Sequence, residues 1–68
     1  MKVKLNDREI QIHTENNQLI ELMKTNQLYH ESGIAVAINE EILPRTIWEQ
    51  YQVQDNDNIL IITATQGG

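Results

Sequence analysis

The chain has 68 residues, with five lysines and arginines against ten aspartates and glutamates, so its formal net charge is −5. This length allows one domain at most, because domains rarely fall below about 50 residues. A domain this small buries only about 60% of its unfolded surface, which disfavours an enclosed catalytic cleft. The absence of cysteine excludes a disulfide scaffold, a thiolate nucleophile and a zinc–thiolate site.

The negative charge is concentrated in the second half of the chain. Residues 1–30 hold four bases and four acids, whereas residues 31–68 hold six acids and a single base, Arg45. This balance is typical of solvated surface, can steer the chain toward a basic partner, and argues against nucleic acid. No apolar run approaches the roughly 18 residues needed to cross a bilayer, and no signal-peptide pattern is visible. We therefore expect a cytoplasmic protein without a membrane partner.

The first thirteen residues predict a β-hairpin. Val3 and Leu5 alternate with lysines, and Ile10 and Ile12 alternate with polar side chains, so each pair marks one half-buried strand. The dipeptide Asn6-Asp7 lies between the two strands, and both residue types tolerate the backbone angles of a tight turn. The sequence thus predicts two antiparallel strands joined by a short connection.

An amphipathic helix is predicted next. Residues 14–17 are polar and offer several possible helix N-caps. Leu19, Leu22 and Met23 then fall at the i, i+3 and i+4 positions of one helical face. This spacing predicts a helix from residue 18 to about residue 28.

Three more strands and a short helical segment complete the predicted order. Residues 34–38 are apolar on both faces, and a polar turn then leads to the short strand Ile42-Leu43, which Pro44 ends. Residues 45–51 predict one or two helical turns. The last strand, residues 59–62, is again apolar on both faces, which indicates a central position in the sheet.

The order β-β-α-β-β-(short helix)-β indicates the fold. A sheet with one helix packed across one face is the two-layer solution for this order, and the ubiquitin-like β-grasp is the small fold that has it. We predict an α+β chain with a mixed five-stranded sheet and one main helix. The predicted domain spans residues 1–64, and residues 65–68, which end in two glycines, form a flexible C-terminal tail.

The tail residues Gln66, Gly67 and Gly68 permit a specific chemistry. Glycine can be threaded through a narrow channel into another protein's active site, where the terminal carboxylate is held close to its reaction partner. Attack of that carboxylate on ATP gives an acyl-adenylate, and replacement of oxygen by sulfur then gives a thiocarboxylate. These steps require no catalytic residue in the chain itself, so we predict that it is not an enzyme.

Residues 37–48 resemble the central motif of the ThiS family, the sulfur carriers of thiamine biosynthesis. That motif is an Ala-(Ile/Val)-Asn turn, an apolar pair, Pro-Arg and a tryptophan three positions on, which Pro44, Arg45 and Trp48 match. The Gly-Gly ending is similar to the family's tail. The resemblance covers essentially the whole chain.

A second segment, Asp55-Asn56-Asp57, resembles the family's Asp-Gly-Asp loop before the last strand. Asn56 stands where glycine is usual, and Asn16-Asn17 replace a glycine-containing start of the helix. Asparagine tolerates positive φ, so we expect neither departure to change the fold.

The resemblance implies a sulfur-transfer cycle with several protein partners. A ThiF-like enzyme adenylates Gly68 with ATP, and a donor such as a cysteine desulfurase supplies sulfur for the thiocarboxylate. The thiazole synthase ThiG then uses this sulfur to build the thiazole ring. On this resemblance Gly68 is the modified residue, Gly67 is a spacer and Gln66 is a tail contact. The chain itself is expected to bind no cofactor.

Other functions remain open from the sequence. The small subunit of molybdopterin synthase shares the fold and the thiocarboxylate, but it usually runs longer and carries an aromatic residue and a proline before its Gly-Gly, which residues 61–66 lack. A ubiquitin-like protein modifier would instead be joined to lysine side chains. In a plain interaction module the two glycines would have no chemical role.

Arg45 and Trp48 have a structural interpretation as well as a functional one. Arg45 either contacts a carboxylate of a partner or pairs with Glu41 or Glu49. Trp48, the only tryptophan, is expected to lie in the core or to cover the sheet, because aromatic side chains dominate small cores.

The remaining candidates concern metal binding and docking. His13 and His30 lack metal-ligand spacing and a cysteine partner, so no metal site is expected. We expect partners to dock on the exposed face of the sheet. The anchor there is predicted to be Ile59 or Leu60, whichever faces away from the helix.

Overall fold

The computed structural model describes residues 1–30 and 32–63. The elements within them follow the predicted order: β1 (Lys2–Leu5), β2 (Arg8–Gln11), a 3₁₀ turn (Thr14–Asn16), α1 (Leu19–Thr25), β3 (Ile34–Ile38), β4 (Glu41–Leu43), a 3₁₀ segment (Arg45–Gln50) and β5 (Asn58–Thr63). The predicted boundary between the domain 1–64 and the tail 65–68 lies outside the described residues.

The strands form one mixed sheet in the order β2-β1-β5-β3-β4. The pair β1–β5 is parallel and the other three pairs are antiparallel. β5 is therefore central, which confirms the position predicted from its apolar run. Thr63 of β5 pairs with Ile34 at the start of β3. We call the end of the sheet at which Thr63 and Ile34 lie the exit end.

Two-residue turns join β1 to β2 and β3 to β4. The backbone has positive φ at both positions of each turn, with 52° and 69° at Asn6-Asp7 and 51° and 73° at Asn39-Glu40. Such type I′ turns match the twist of the strands that they connect. Asn56 has a φ of 71°, so asparagine adopts the left-handed conformation at the position where the ThiS family usually has glycine.

The helix α1 packs across one face of the sheet. Leu19, Leu22 and Met23 are buried, as their spacing predicted. Trp48 is buried as well, and its Nε1 donates a hydrogen bond of 2.9 Å to the carbonyl of Leu43. The buried residues of the resulting core are Val3, Leu5, Leu19, Leu22, Met23, Val36, Ile38, Trp48, Val53, Ile59 and Ile61.

The helix is shorter than predicted, because it ends at Thr25 rather than near Leu28. Gln27 adopts a φ of 62°, and the N–H groups of Gln27 and Leu28 bond to the carbonyls of Lys24 and Met23 at 3.1 and 2.8 Å. These two bonds form a Schellman motif, which ends a helix after a residue in the left-handed conformation. No helix in residues 1–30 and 32–63 has the length and apolar character to cross a membrane.

Candidate functional site

The central strand β5 divides its apolar side chains between two environments. Ile59 and Ile61 are buried beneath α1, whereas Leu60 is 44% exposed and Ile62 is 47% exposed. The alternation follows from the strand period of two, since only one face of the sheet is covered by the helix. Leu60, and not Ile59, therefore faces away from the helix.

The uncovered face of the sheet carries an apolar patch beside a charged region. Ile42 of β4 is 67% exposed, and Ala37 of β3 pairs with both Ile42 and Leu60, so these residues form a row across three strands. We call Ile42, Leu60 and Ile62 the open-face patch. On the outward positions of β1 and β2 the side chains are polar: Lys2, Lys4, Glu9 and Gln11.

A buried carboxylate lies at the end of the sheet opposite the exit end. Asp57 is only 6% exposed, and its oxygens accept hydrogen bonds from the Tyr51 hydroxyl at 2.7 Å, the Asn39 amide at 3.0 Å and the Gln54 N–H at 2.9 Å. The Asn39 side-chain oxygen in turn accepts the Asn58 N–H at 2.9 Å. The cluster therefore ties the β3–β4 turn and the end of the 3₁₀ segment to the start of β5.

This cluster also changes the acidity of Tyr51. Burial, the hydrogen bond to Asp57 and the negative charge of Asp57 together raise the pKa of Tyr51 from 10.0 to about 12. A phenol with so high a pKa stays protonated near neutral pH and acts as a hydrogen-bond donor. Its role in this position is structural, because it satisfies a buried carboxylate.

Arg45 is held against two aromatic rings. Its guanidinium carbon lies 4.6 Å from the centroid of the Trp48 ring and 6.0 Å from that of the Tyr29 ring. Its Nη2 donates two long hydrogen bonds of 3.4 Å, one to the Tyr29 hydroxyl and one to the His30 carbonyl. The stacking and the hydrogen bonds together fix the direction of the guanidinium group.

The structure does not form the acidic pairing that the sequence suggested for Arg45. Within the described residues, neither Glu41 nor Glu49 lies within ion-pair distance of its guanidinium. A second cation instead approaches the same aromatic ring, since the Lys24 Nζ lies 5.4 Å from the Tyr29 centroid. In the described part of the chain, no three histidine or acidic side chains converge to hold a metal ion.

Comparison with known proteins identifies the family of this chain. Residues 3–68 match the ThiS family. The chain belongs to the ThiS family. It is 36% identical to the sulfur carrier protein ThiS of Escherichia coli (strain K12) over 70 aligned positions, which cover 100% of both chains. It also matches the crystal structure of a thiamine biosynthesis protein (ThiS) from Geobacter metallireducens, with a TM-score of 0.76, 20% identity and 100% of both chains covered.

The structural match of this ThiS-family chain confirms the predicted β-grasp fold. The predicted tail residues Gln66, Gly67 and Gly68 lie outside the described residues, so their roles stay predictions. Arg45 and Trp48, which the family motif singled out, lie in direct contact.

Two residues of the site were missed by the sequence interpretation. Asp57 was noted only as part of a polar loop, and its position directly before a core strand was the available signal for burial. Ile42 was assigned to a strand without a face. A strand of three residues has too few side chains to show an alternation.

Proposed function

We propose that this chain is a sulfur carrier whose Gly68 carboxylate is adenylated and then converted to a thiocarboxylate. The observation that carries the proposal is the match to the ThiS family over residues 3–68, which includes the two glycines that end the sequence. The Escherichia coli relative, similar along its whole length, is named a sulfur carrier protein. That name describes a cargo function and agrees with a chain that supplies no catalytic group.

The chemistry proceeds in enzymes that grip the carrier. A carboxylate oxygen of Gly68 attacks the α-phosphate of ATP on a ThiF-like enzyme, pyrophosphate leaves, and an acyl-adenylate forms. The outer sulfur of a persulfide, carried by a donor such as a cysteine desulfurase, attacks the carbonyl and displaces AMP to give an acyl disulfide. A thiol reductant then cleaves the S–S bond, which leaves the thiocarboxylate and oxidises the thiol to a disulfide. A thiazole synthase of the ThiG type then takes this sulfur for the thiazole ring. The carrier contributes a tail that reaches the reacting atoms, and its partner contributes their alignment.

The open-face patch supports docking of these enzymes on the uncovered face of the sheet. Large apolar side chains that adjoin on a surface are typical of interaction sites. Leu60 and Ile62 lie on β5, the strand that runs toward the tail, and Ile62 directly precedes Thr63 at the exit end. A partner that covers the patch therefore lies next to the point from which the tail extends.

The proposal is tested by measuring the intact mass of the chain after incubation with ATP, a ThiF-like enzyme and a sulfur source. Exchange of one oxygen for sulfur adds about 16 Da, and oxidation of Met1 or Met23 adds nearly the same mass. Iodoacetamide separates the two products, because a chain without cysteine offers no other fast-reacting thiolate. We expect an ATP-dependent alkylated species that maps to Gly68.

The Escherichia coli carrier serves as the positive control for the enzymes. If they modify that carrier but not this chain, the proposed function is wrong. Thiazole formation with ThiG then tests the pathway, and covalent ladders in a lysate would instead indicate a protein modifier.

A further inference from the structure

Arg45 lies next to the end of β4. Leu43 of β4 pairs with Val36 of β3, and the antiparallel strands place the end of β4 toward the start of β3. Arg45 follows β4 by two residues and therefore lies at the exit end. One strand, β3, separates β4 from β5, so the axes of these two strands lie about 10 Å apart.

The guanidinium of Arg45 is held by contacts within the chain. Trp48, on which it stacks, is itself fixed by burial and by its 2.9 Å hydrogen bond to the Leu43 carbonyl. Of the five N–H donors of an arginine, those on Nη1 and Nε find no acceptor among the residues that the structure describes. A side chain held in this way loses little conformational entropy when it binds, so the donors on Nη1 and Nε are available at low cost.

The charge around this guanidinium is also unbalanced. Arg45 and Lys24 approach one ring, that of Tyr29, although acids outnumber bases two to one in the sequence. Within residues 1–30 and 32–63 no acidic side chain lies within ion-pair distance of either cation. A carboxylate from outside would balance the positive charge around the ring while accepting the paired donors of the guanidinium.

The net charge of the chain indicates which kind of molecule supplies this carboxylate. A polyanion such as nucleic acid is repelled by a chain with a net charge of −5. A single acidic side chain on an otherwise basic protein surface meets both the cations at the exit end and the acids elsewhere on the chain. The cation pair thus fits a protein partner and fixes its position relative to the end of β5.

We propose that Arg45 and Lys24 form a docking site for an acidic side chain of the activating enzyme, beside the strand end that leads to the tail. The inference rests on the proposed function, because it names a contact of the same carrier with the same enzyme. The contact holds the carrier on the enzyme both before and during the chemical step.

The test compares Arg45→Gln with Arg8→Gln in ATP–pyrophosphate exchange catalysed by a ThiF-like enzyme. Both variants remove one arginine, but Arg8 lies on β2, at the edge of the sheet opposite β4. We expect Arg45→Gln to raise the KM for the carrier about tenfold with little change in kcat, because the lost contact is made equally before and during chemistry. Arg8→Gln should stay within about twofold of the wild type.

Two further variants separate docking from folding. Lys24→Gln removes the second cation from an exposed helix position and should raise KM by about threefold. Arg45→Lys keeps the charge and should recover part of the affinity without the paired geometry of the guanidinium. Thermal unfolding checks that each variant is folded. If Arg45→Gln is unfolded, the proposal is tested by comparing the KM of Lys24→Gln with that of Arg8→Gln.

The outcomes distinguish the two proposals. If the wild type reacts and the Arg45 and Lys24 variants have the KM of Arg8→Gln, the docking site is wrong and the sulfur-carrier function stands. If the wild type fails to react with an enzyme that activates the Escherichia coli carrier, the proposed function is wrong and the docking site falls with it.

Discussion

β5 places the same kind of side chain in two different environments. Ile59 and Ile61 lie beneath α1 in the core, whereas Leu60 and Ile62 lie half exposed on the open face. The four residues are close in hydrophobicity, so the difference between them comes from position alone. The covered pair contributes to the free energy of folding, and the exposed pair keeps its apolar surface available for binding.

The strongest test of this comparison is a matched pair of alanine substitutions. Ile59→Ala should lower the free energy of unfolding by about 3 kcal/mol, because it leaves a cavity in the core. Leu60→Ala should lower it by less than about 1 kcal/mol, because its side chain is partly hydrated already. Urea unfolding followed by the fluorescence of Trp48, the only tryptophan, measures both.

In affinity for a ThiF-like enzyme, the two variants should show the opposite order to that in stability. Leu60→Ala is expected to weaken affinity about tenfold, and Ile59→Ala should bind normally under conditions in which it is folded. Equal losses of stability for the two variants would contradict the assignment of the two faces.

The sequence predicted the place of β5 but not the face of each of its residues. A run of four apolar residues indicates a central strand, yet it contains no polar residue to mark the side away from the core. The register decides the matter, since Leu60 pairs with Ala37 and so joins the row that reaches the exposed Ile42. Pairing between strands distant in sequence is absent from any local pattern.

The errors at α1 and Arg45 have the same origin. The apolar period continued to Leu28, which packs against the core although the helix has already ended at Thr25. The sequence has no glycine at the end of this helix, so the left-handed conformation of Gln27 had no local signal. Arg45 was compared with acids near it in sequence, whereas the structure stacks it on Trp48 and places it beside Tyr29, 16 positions earlier.

The stability of the covered side of the sheet also depends on Asp57, the polar residue directly before β5. Asp57→Asn should lower the free energy of unfolding by about 2 kcal/mol, because an amide has one acceptor oxygen where the carboxylate receives three donors. Asp55→Asn makes the same chemical change at an exposed carboxylate that accepts the Lys2 N–H, and it should cost less than about 1 kcal/mol. Urea unfolding at neutral pH compares them. Indistinguishable midpoints would show that the Asp57 cluster does not stabilise the covered side.

The smallest effect expected is a dependence of stability on high pH through Tyr51. Its pKa is about 12 in the folded chain against an ordinary value of 10.0, so the folded state holds the phenol proton more tightly than the unfolded state does. The resulting stabilisation is complete below pH 10 and is lost as the pH rises toward 12. The difference in unfolding free energy between the wild type and Tyr51→Phe should shrink across that window, whereas Tyr29→Phe, which leaves the Asp57 contact in place, should track the wild type. Lysine ionisation is common to all three chains and cancels in the comparison. A constant difference from pH 9 to pH 12 would mean that the Tyr51 hydroxyl does not donate to Asp57, and that Asn39 and Gln54 alone hold this carboxylate at the covered side of β5.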